Sequence, residues 1–174
     1  MTEDSSTAEF YKVISKMGEG QFYMLVLFML STFMSRERFW YYLIVMTAGH
    51  CLMISLKLFF HDPRPIHVWS DIWSTGCEMH FGNPSGHNID AFNVTIMLFL
   101  DLFVPSDYSK QTQPNLNTRT YTNSKRWFIL AIFVIFTWCP LIMIDRLLLG
   151  KHTLDQVILG ACIGVWCAFF FHFC

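Results

Sequence analysis

Charged side chains are scarce in this chain, and their scarcity excludes an ordinary water-soluble domain. Asp, Glu, Lys and Arg make up 14% of the 174 residues, and hydrophobic residues make up 53%, whereas a soluble domain usually carries about 25% charged residues. Too few polar groups remain to coat a surface that faces water. The composition therefore predicts an integral membrane protein whose residues 1–174 form a single domain, with a polar N-terminal segment over residues 1–20.

Other absences narrow the class of protein further. Because the chain has 12 Lys and Arg against 13 Asp and Glu, it lacks a basic excess, and nucleic acid is not an expected partner. The six cysteines follow no regular spacing that would indicate a disulfide framework. The first twenty residues are polar and include acids, which argues against a cleavable signal peptide. We expect the first hydrophobic segment to be retained as an anchor.

One loop contains several residue types that bind metals. Between residues 61 and 84 lie His61, His67, Cys77, Glu78 and His80. Their spacing matches no familiar zinc pattern, so we interpret them as residues that line the loop. The sequence predicts neither a metal site nor an organic cofactor.

Five apolar segments predict an all-α fold, a bundle of about five transmembrane helices. They are Phe22–Met34, Phe39–Phe60, Ser85–Val104, Trp127–Ile144 and Thr153–Cys174. The first is short for a membrane span, and an amphipathic stretch that begins near Phe10 would lengthen it backward. If the five segments cross a bilayer one after another, the second and fourth segments end at the same membrane face. The third and fifth segments begin at that face.

Three short motifs lie at these segment ends and therefore share that face. They are Lys57 and Arg64-Pro65, separated by six residues; Pro84-Ser85-Gly86-His87; and Arg146 and His152, separated by five residues. Cations at a membrane boundary are costly unless they pair with something. A phosphate group suits two guanidinium forks and a lysine, so the motifs predict one phosphate-handling site.

Basic residues predict the orientation of the site. The opposite face carries six of them, Arg36, Arg38, Lys110, Arg119, Lys125 and Arg126, whereas the motif face carries only Lys12 and Lys16 besides the cations of the motifs and their neighbour Lys151. The opposite face is therefore predicted to be cytoplasmic, or to face the matrix in a mitochondrion. The site would face a lumen, the cell exterior or an intermembrane space. The endoplasmic reticulum or another endomembrane is the favoured location of the protein, and the mitochondrial inner membrane is the alternative.

The three motifs, in this order over about residues 40–174, resemble the type 2 phosphatidic-acid phosphatase superfamily. The resemblance implies a membrane phosphatase that needs no metal. In that family the residue matching His152 is the nucleophile that forms a phosphohistidine, and the residue matching His87 protonates the leaving group. The resemblance also implies that the phosphate is bound by Lys57, Arg64, Ser85, Gly86 and Arg146.

The sequence departs from the family pattern at two positions that support these residues. The family usually has Asp four residues after the nucleophile, where this chain has Gln156, as dolichyl-pyrophosphate phosphatases do. If a helix begins at His152, Asp155 and Gln156 both share its face, and either could orient the imidazole. The family usually has Ser before the arginine, where this chain has Asp145, a carboxylate that could pair with Arg146. Asp90, one turn after His87, is a further candidate for support.

The sequence is compatible with three functions. The first is hydrolysis of a lipid phosphate or an isoprenoid pyrophosphate, whose tail would stay in the membrane. The second is a structural subunit that keeps the fold within a larger membrane complex, with weak or no activity. Its motivation is the short chain, the two departures and one membrane segment fewer than the six-helix core of the family. The third is hydrolysis of a soluble sugar phosphate.

Overall fold

A computed structural model describes residues 5–33, 35–69, 80–104 and 125–174, and within these ranges all regular structure is helical. This confirms the all-α prediction. The helices are α1 (Ser5–Met17), α2 (Gly20–Leu30), α3 (Arg36–Phe60), α4 (Pro65–Val68), α5 (Gly86–Phe103), α6 (Lys125–Leu148) and α7 (Leu154–Phe173). Cys77 and Glu78 of the loop, and Lys110 and Arg119 of the orientation count, lie outside the described residues.

The outer surface of the bundle is apolar, as a membrane protein requires. In the described ranges, three stretches are long and apolar enough to cross a bilayer: Arg36–Val68, Lys125–Leu148 and Leu154–Phe173. On α6, Ile129, Phe133 and Phe136 are more than half exposed, at positions where a soluble protein would carry polar groups. Helix α2 is apolar but shorter, and α5 carries Asp90 and Asp101. The chain is an integral membrane protein.

The N-terminal part of the bundle differs from the prediction. The first apolar segment does not extend back to Phe10, because the chain turns at Gly18 and Glu19 and α1 is a separate helix. With 13 residues, α1 spans about 20 Å at 1.5 Å per residue, too short for a hydrocarbon core of about 30 Å. Among the described residues, α1 is thus a separate helix that does not add a membrane span to those predicted.

Helix α5 is the centre of the bundle, and α7 packs closely along it. A Cβ atom on Gly160 would lie 2.6 Å from the carbonyl oxygen of Ser85, and one on Gly164 would lie 2.7 Å from that of Ile89. Small residues at such positions let two helix backbones approach each other. Asn88 Nδ2 also donates to the Val157 carbonyl at 3.1 Å. These contacts fix the N-terminal ends of α5 and α7 side by side.

Gly160→Ala is expected to destabilise the protein, although alanine is the better helix former by about 1 kcal/mol. The new methyl group would overlap a backbone oxygen that cannot move without its helix, and such overpacking costs about 1–3 kcal/mol. Thermal unfolding in detergent should show a lower Tm, whereas Cys162→Ala, at an exposed position of α7, should leave Tm nearly unchanged. An equal or higher Tm for Gly160→Ala would contradict this packing.

Candidate active site

The three motifs meet at one end of the bundle, as the order of the membrane crossings predicted. The Ser85 amide donates to the Gln156 carbonyl at 3.1 Å, which joins the start of α5 to the start of α7. Arg64, which follows α3, places Nη1 3.4 Å from the Lys151 carbonyl and 3.5 Å from His152 Nε2. Residues far apart in sequence therefore form one cluster of cations and imidazole.

Hydrogen bonds determine which nitrogen of His152 carries the proton. The Gln156 Nε2 group donates to the Pro63 carbonyl at 3.2 Å, and the Thr153 amide donates to Gln156 Oε1 at 3.3 Å. Because these partners fix Oε1 as the acceptor, His152 Nδ1, 3.3 Å from Oε1, must donate to it. The lone pair is then on Nε2, the nitrogen that faces Arg64.

Gln156, and not Asp155, contacts the His152 imidazole. Helix α7 begins at Leu154 with Thr153 as its N-cap, so His152 precedes the helix and the spacing rule for a helix that starts at His152 does not apply. The Asp155 side chain points outward and is exposed, whereas Gln156 is only 3% exposed. The prediction that Asp155 could orient the ring is therefore corrected in favour of Gln156.

His152 is neutral at physiological pH. Its imidazole is 4% exposed, and burial, followed by the positive charges of Arg64 and Lys57, lowers its pKa to about 3. A neutral ring keeps the Nε2 lone pair available at pH 7. This is the state that a nucleophilic imidazole needs.

Arg64 is held rigidly beside this lone pair. It is 4% exposed, and its Nε donates to the His80 carbonyl at 2.9 Å. Its own carbonyl accepts from the His67 amide at 2.9 Å as α4 begins. The guanidinium is thus anchored at Nε, while Nη1 lies between the Lys151 carbonyl and His152 Nε2. A planar guanidinium held in this way suits a phosphate group bound beside His152.

The second motif forms the start of α5. Ser85 is the N-cap, is fully buried, and its Oγ has no hydrogen-bond partner among the described residues. Gly86 packs so closely on α3 that a Cβ would lie 3.3 Å from Met53 Sδ. The N-terminus of a helix attracts anions through its backbone N–H groups. His87 follows, and a Cβ on Gly18 would lie 3.3 Å from its Cδ2.

Two carboxylates, Asp145 and Asp90, lie near the residues of the motifs. Arg146 Nε donates to Asp145 Oδ2 at 2.8 Å, and Nη2 also bonds this oxygen. Both side chains are fully buried, and within the described ranges Arg146 Nη1 has no partner. Asp90 is buried beside Gly20, and Lys57 is near enough for its charge to act on both Asp90 and His152. Asp90 therefore lies at the edge of the cation cluster.

Three hydrogen bonds were not predicted from sequence. Asn83 Nδ2 donates to Asp62 Oδ2 at 2.6 Å, and the Gly82 amide donates to the Asp62 carbonyl at 2.8 Å, which ties the first motif to the second. Ser15, on α1, bonds Arg146 through Oγ. Asp62 and Asn83 are close to motif residues in the sequence, which is a weak indication that they have a role at the site. Nothing in the sequence indicates such a role for Ser15.

The described part of the loop offers no metal site. Across residues 5–33, 35–69, 80–104 and 125–174 there is no group of three or more His, Cys, Asp or Glu side chains that could hold an ion. The cluster instead contains the guanidinium groups of Arg64 and Arg146, which suit an anion.

Gln156→Leu is expected to lower kcat by about 10²-fold, because a misplaced catalytic group costs about that much. Leucine keeps the bulk of the side chain but removes the oxygen that accepts from His152 Nδ1. Steady-state kinetics should also show that Gln156→Glu, which keeps an acceptor, retains more activity than Gln156→Leu. Loss of activity in Asp155→Ala, with Gln156→Leu unaffected, would contradict this assignment.

Comparisons with known proteins agree with the motifs. No curated protein matches the chain. A solved structure, the first transmembrane PAP2 type phosphatidylglycerolphosphate phosphatase from Bacillus subtilis, has a similar fold. The TM-score is 0.71 at 22% sequence identity, over 98% of this chain and 77% of that one. The PAP2 superfamily matches residues 38–174, which include all three motifs. The chain belongs to the PAP2 superfamily.

Proposed function

We propose that the protein is a membrane phosphatase that transfers a phosphoryl group from a lipid substrate to His152 and then to water. One observation carries this proposal. Gln156 holds the proton on His152 Nδ1, while Nε2 faces Arg64 Nη1 at 3.5 Å. Family membership supports a phosphatase, and the geometry supports this nucleophile.

The proposed reaction has two steps. In the first, the Nε2 lone pair attacks phosphorus, the bond to the leaving oxygen breaks, and His87 donates a proton to that oxygen. In the second, His87 removes a proton from a water molecule, the water oxygen attacks phosphorus, and the bond from phosphorus to nitrogen breaks. Inorganic phosphate and the starting imidazole result. No metal is needed in this scheme.

Phosphate binding is assigned to the groups that surround His152. The cations are Lys57, Arg64 and Arg146, and the start of α5 adds the backbone of Ser85 and Gly86. Asp145 offsets part of the Arg146 charge, but the Nη1 edge of that guanidinium is not used by the described residues. Arg146 can therefore still donate two N–H groups to a phosphate.

A lipid phosphate is the substrate class that fits the position of the site. The cluster lies at the ends of α3 and α6 and at the starts of α5 and α7, and the outer surfaces of these helices are apolar. A phosphorylated headgroup could reach His152 while its acyl or isoprenoid tail stays in the hydrocarbon. A lipid phosphate and an isoprenoid pyrophosphate share this chemistry. We place the site on the non-cytoplasmic or non-matrix face and favour an endomembrane, with the mitochondrial inner membrane as the alternative.

The second candidate function is a structural subunit of a membrane complex. It is favoured by the Asp145–Arg146 ion pair, which is fully buried and weakens one of the phosphate-binding cations. Such a subunit would keep the fold while its site turned over little or no substrate.

Phosphate release by the purified protein in detergent tests the proposal. The substrates are phosphatidate, phosphatidylglycerolphosphate, a polyprenyl pyrophosphate and glucose 6-phosphate, each with a chelator present. Turnover of one of the three lipids is expected. Preference for glucose 6-phosphate would move the substrate class to soluble phosphates. No turnover of any substrate by folded protein would favour the structural subunit.

A further inference from the structure

Helix α1 contributes a side chain to the phosphate site. Ser15 is only 7% exposed, and its Oγ accepts a hydrogen bond from Arg146 Nη2. Its helix lies outside residues 38–174, the part of the chain that matches the superfamily. The contact joins positions 131 residues apart.

Some donors of Arg146 bond other groups of the protein, and the others have no partner among the described residues. A guanidinium carries five N–H groups, one on Nε and two on each terminal nitrogen. Asp145 Oδ2 accepts from Nε and Nη2, and Ser15 Oγ takes the other donor of Nη2. The two N–H groups of Nη1 have no partner in the described structure, although this atom is buried.

The end of α1 is itself held in place on the site. Ile14, next to Ser15, is a buried member of the hydrophobic core that also includes Ile142 of α6. Just after α1, Gly18 lies so close to Ile142 and His87 that a Cβ there would be 2.9 Å from Ile142 Cδ1. Ser15 is therefore fixed by packing on both sides, as a group that orients another must be.

We propose that Ser15 is a positioning residue for phosphate binding. Asp145 bonds the guanidinium of Arg146 on one side, and the hydrogen bond from Nη2 to Ser15 adds a second fixed point. The two contacts together orient the guanidinium so that its Nη1 edge faces the phosphate. Without the Ser15 hydroxyl, Asp145 alone sets the orientation of the Arg146 guanidinium, and the position of Nη1 is no longer fixed. This inference rests on the proposed function, since it assigns Arg146 to phosphate.

Two substitutions separate orientation from packing. Ser15→Ala removes the hydroxyl and leaves space, whereas Ser15→Cys keeps the size of the side chain but accepts a hydrogen bond poorly. Both are expected to weaken binding of inorganic phosphate to the full-length chain by about tenfold, the loss of one hydrogen bond to a charged group. Calorimetric titration measures the Kd, and kcat/KM for the best lipid should fall by a similar factor.

Ser55→Ala is the matched control, because the Ser55 hydroxyl is exposed and bonds only its own helix, at the Cys51 carbonyl. It should leave the phosphate Kd unchanged. Wild-type affinity in Ser15→Cys, with loss only in Ser15→Ala, would show a packing role and overturn the proposal, as would wild-type affinity in both. If the wild-type chain neither binds phosphate nor turns over lipid, the proposed function fails as well. If the Ser15 variants bind phosphate more weakly but the wild-type chain hydrolyses no lipid, the role of Ser15 in phosphate binding is supported. Only the catalytic proposal is then contradicted.

Discussion

His152→Ala is expected to lower turnover by at least about 10³-fold, the scale on which an enzyme loses activity when its nucleophile is removed. The substitution deletes His152 Nε2, the atom that lies beside Arg64 and to which we assign the attack on phosphorus. It also leaves Gln156 with its bonds to Pro63 and Thr153, so the fold of this region should persist. The measurement is phosphate release from the preferred lipid, with Tm determined in parallel.

His50→Ala is the control for the loss of a histidine as such. His50 is exposed on α3, and its removal should leave kcat and Tm near the values of the unaltered protein. Turnover retained by folded His152→Ala would contradict the assignment of the nucleophile, and it would direct attention to His87 or to a water molecule.

Arg64→Lys is expected to reduce kcat by about 10²- to 10³-fold, as happens when one donor to a developing oxyanion is removed. Lysine keeps the positive charge but lacks the planar fork that bonds the His80 carbonyl through Nε and faces His152 through Nη1. A point charge on a flexible stem cannot satisfy both contacts at once. Single-turnover kinetics with the preferred lipid would separate this effect on the chemical step from any effect on binding.

The control is Arg38→Lys at the other end of the bundle. Arg38 forms an ion pair with Asp101 across 3.9 Å, with both side chains partly exposed, and such pairs contribute little. Turnover by the Arg38→Lys variant should match that of the unaltered protein. If Arg64→Lys kept full kcat, charge alone would suffice at this position and the role given to the guanidinium geometry would be wrong.

The grouping of the motifs was predictable because it depends on few physical quantities. Hydrophobic length fixes which segments cross the bilayer, and the number of crossings fixes which ends share a face. Arg64, Ser85 and His152 were therefore expected together, and they lie together. The sequence also contains an indication that α7 packs closely against another helix, because Gly160 and Gly164 are four residues apart on one helix face.

Two features could not be predicted, for different reasons. The choice between Asp155 and Gln156 depends on whether α7 begins at His152 or at Leu154, and helix boundaries are not fixed by sequence to that accuracy. The contact of Ser15 with Arg146 depends on the turn at Gly18 and Glu19, which folds α1 back onto α6. An amphipathic stretch with an ordinary serine gives no sign of a partner 131 residues away.

The central claim is that His152 becomes phosphorylated, and trapping the phosphoenzyme tests it most directly. The full-length protein would be mixed with lipid labelled in the phosphate group, quenched in alkali within milliseconds, digested and analysed by mass spectrometry. The account predicts one labelled peptide with the phosphoryl group on His152 Nε2, formed and consumed at rates that match turnover. Turnover without any phosphorylated intermediate, or a phosphoryl group on another residue, would contradict it.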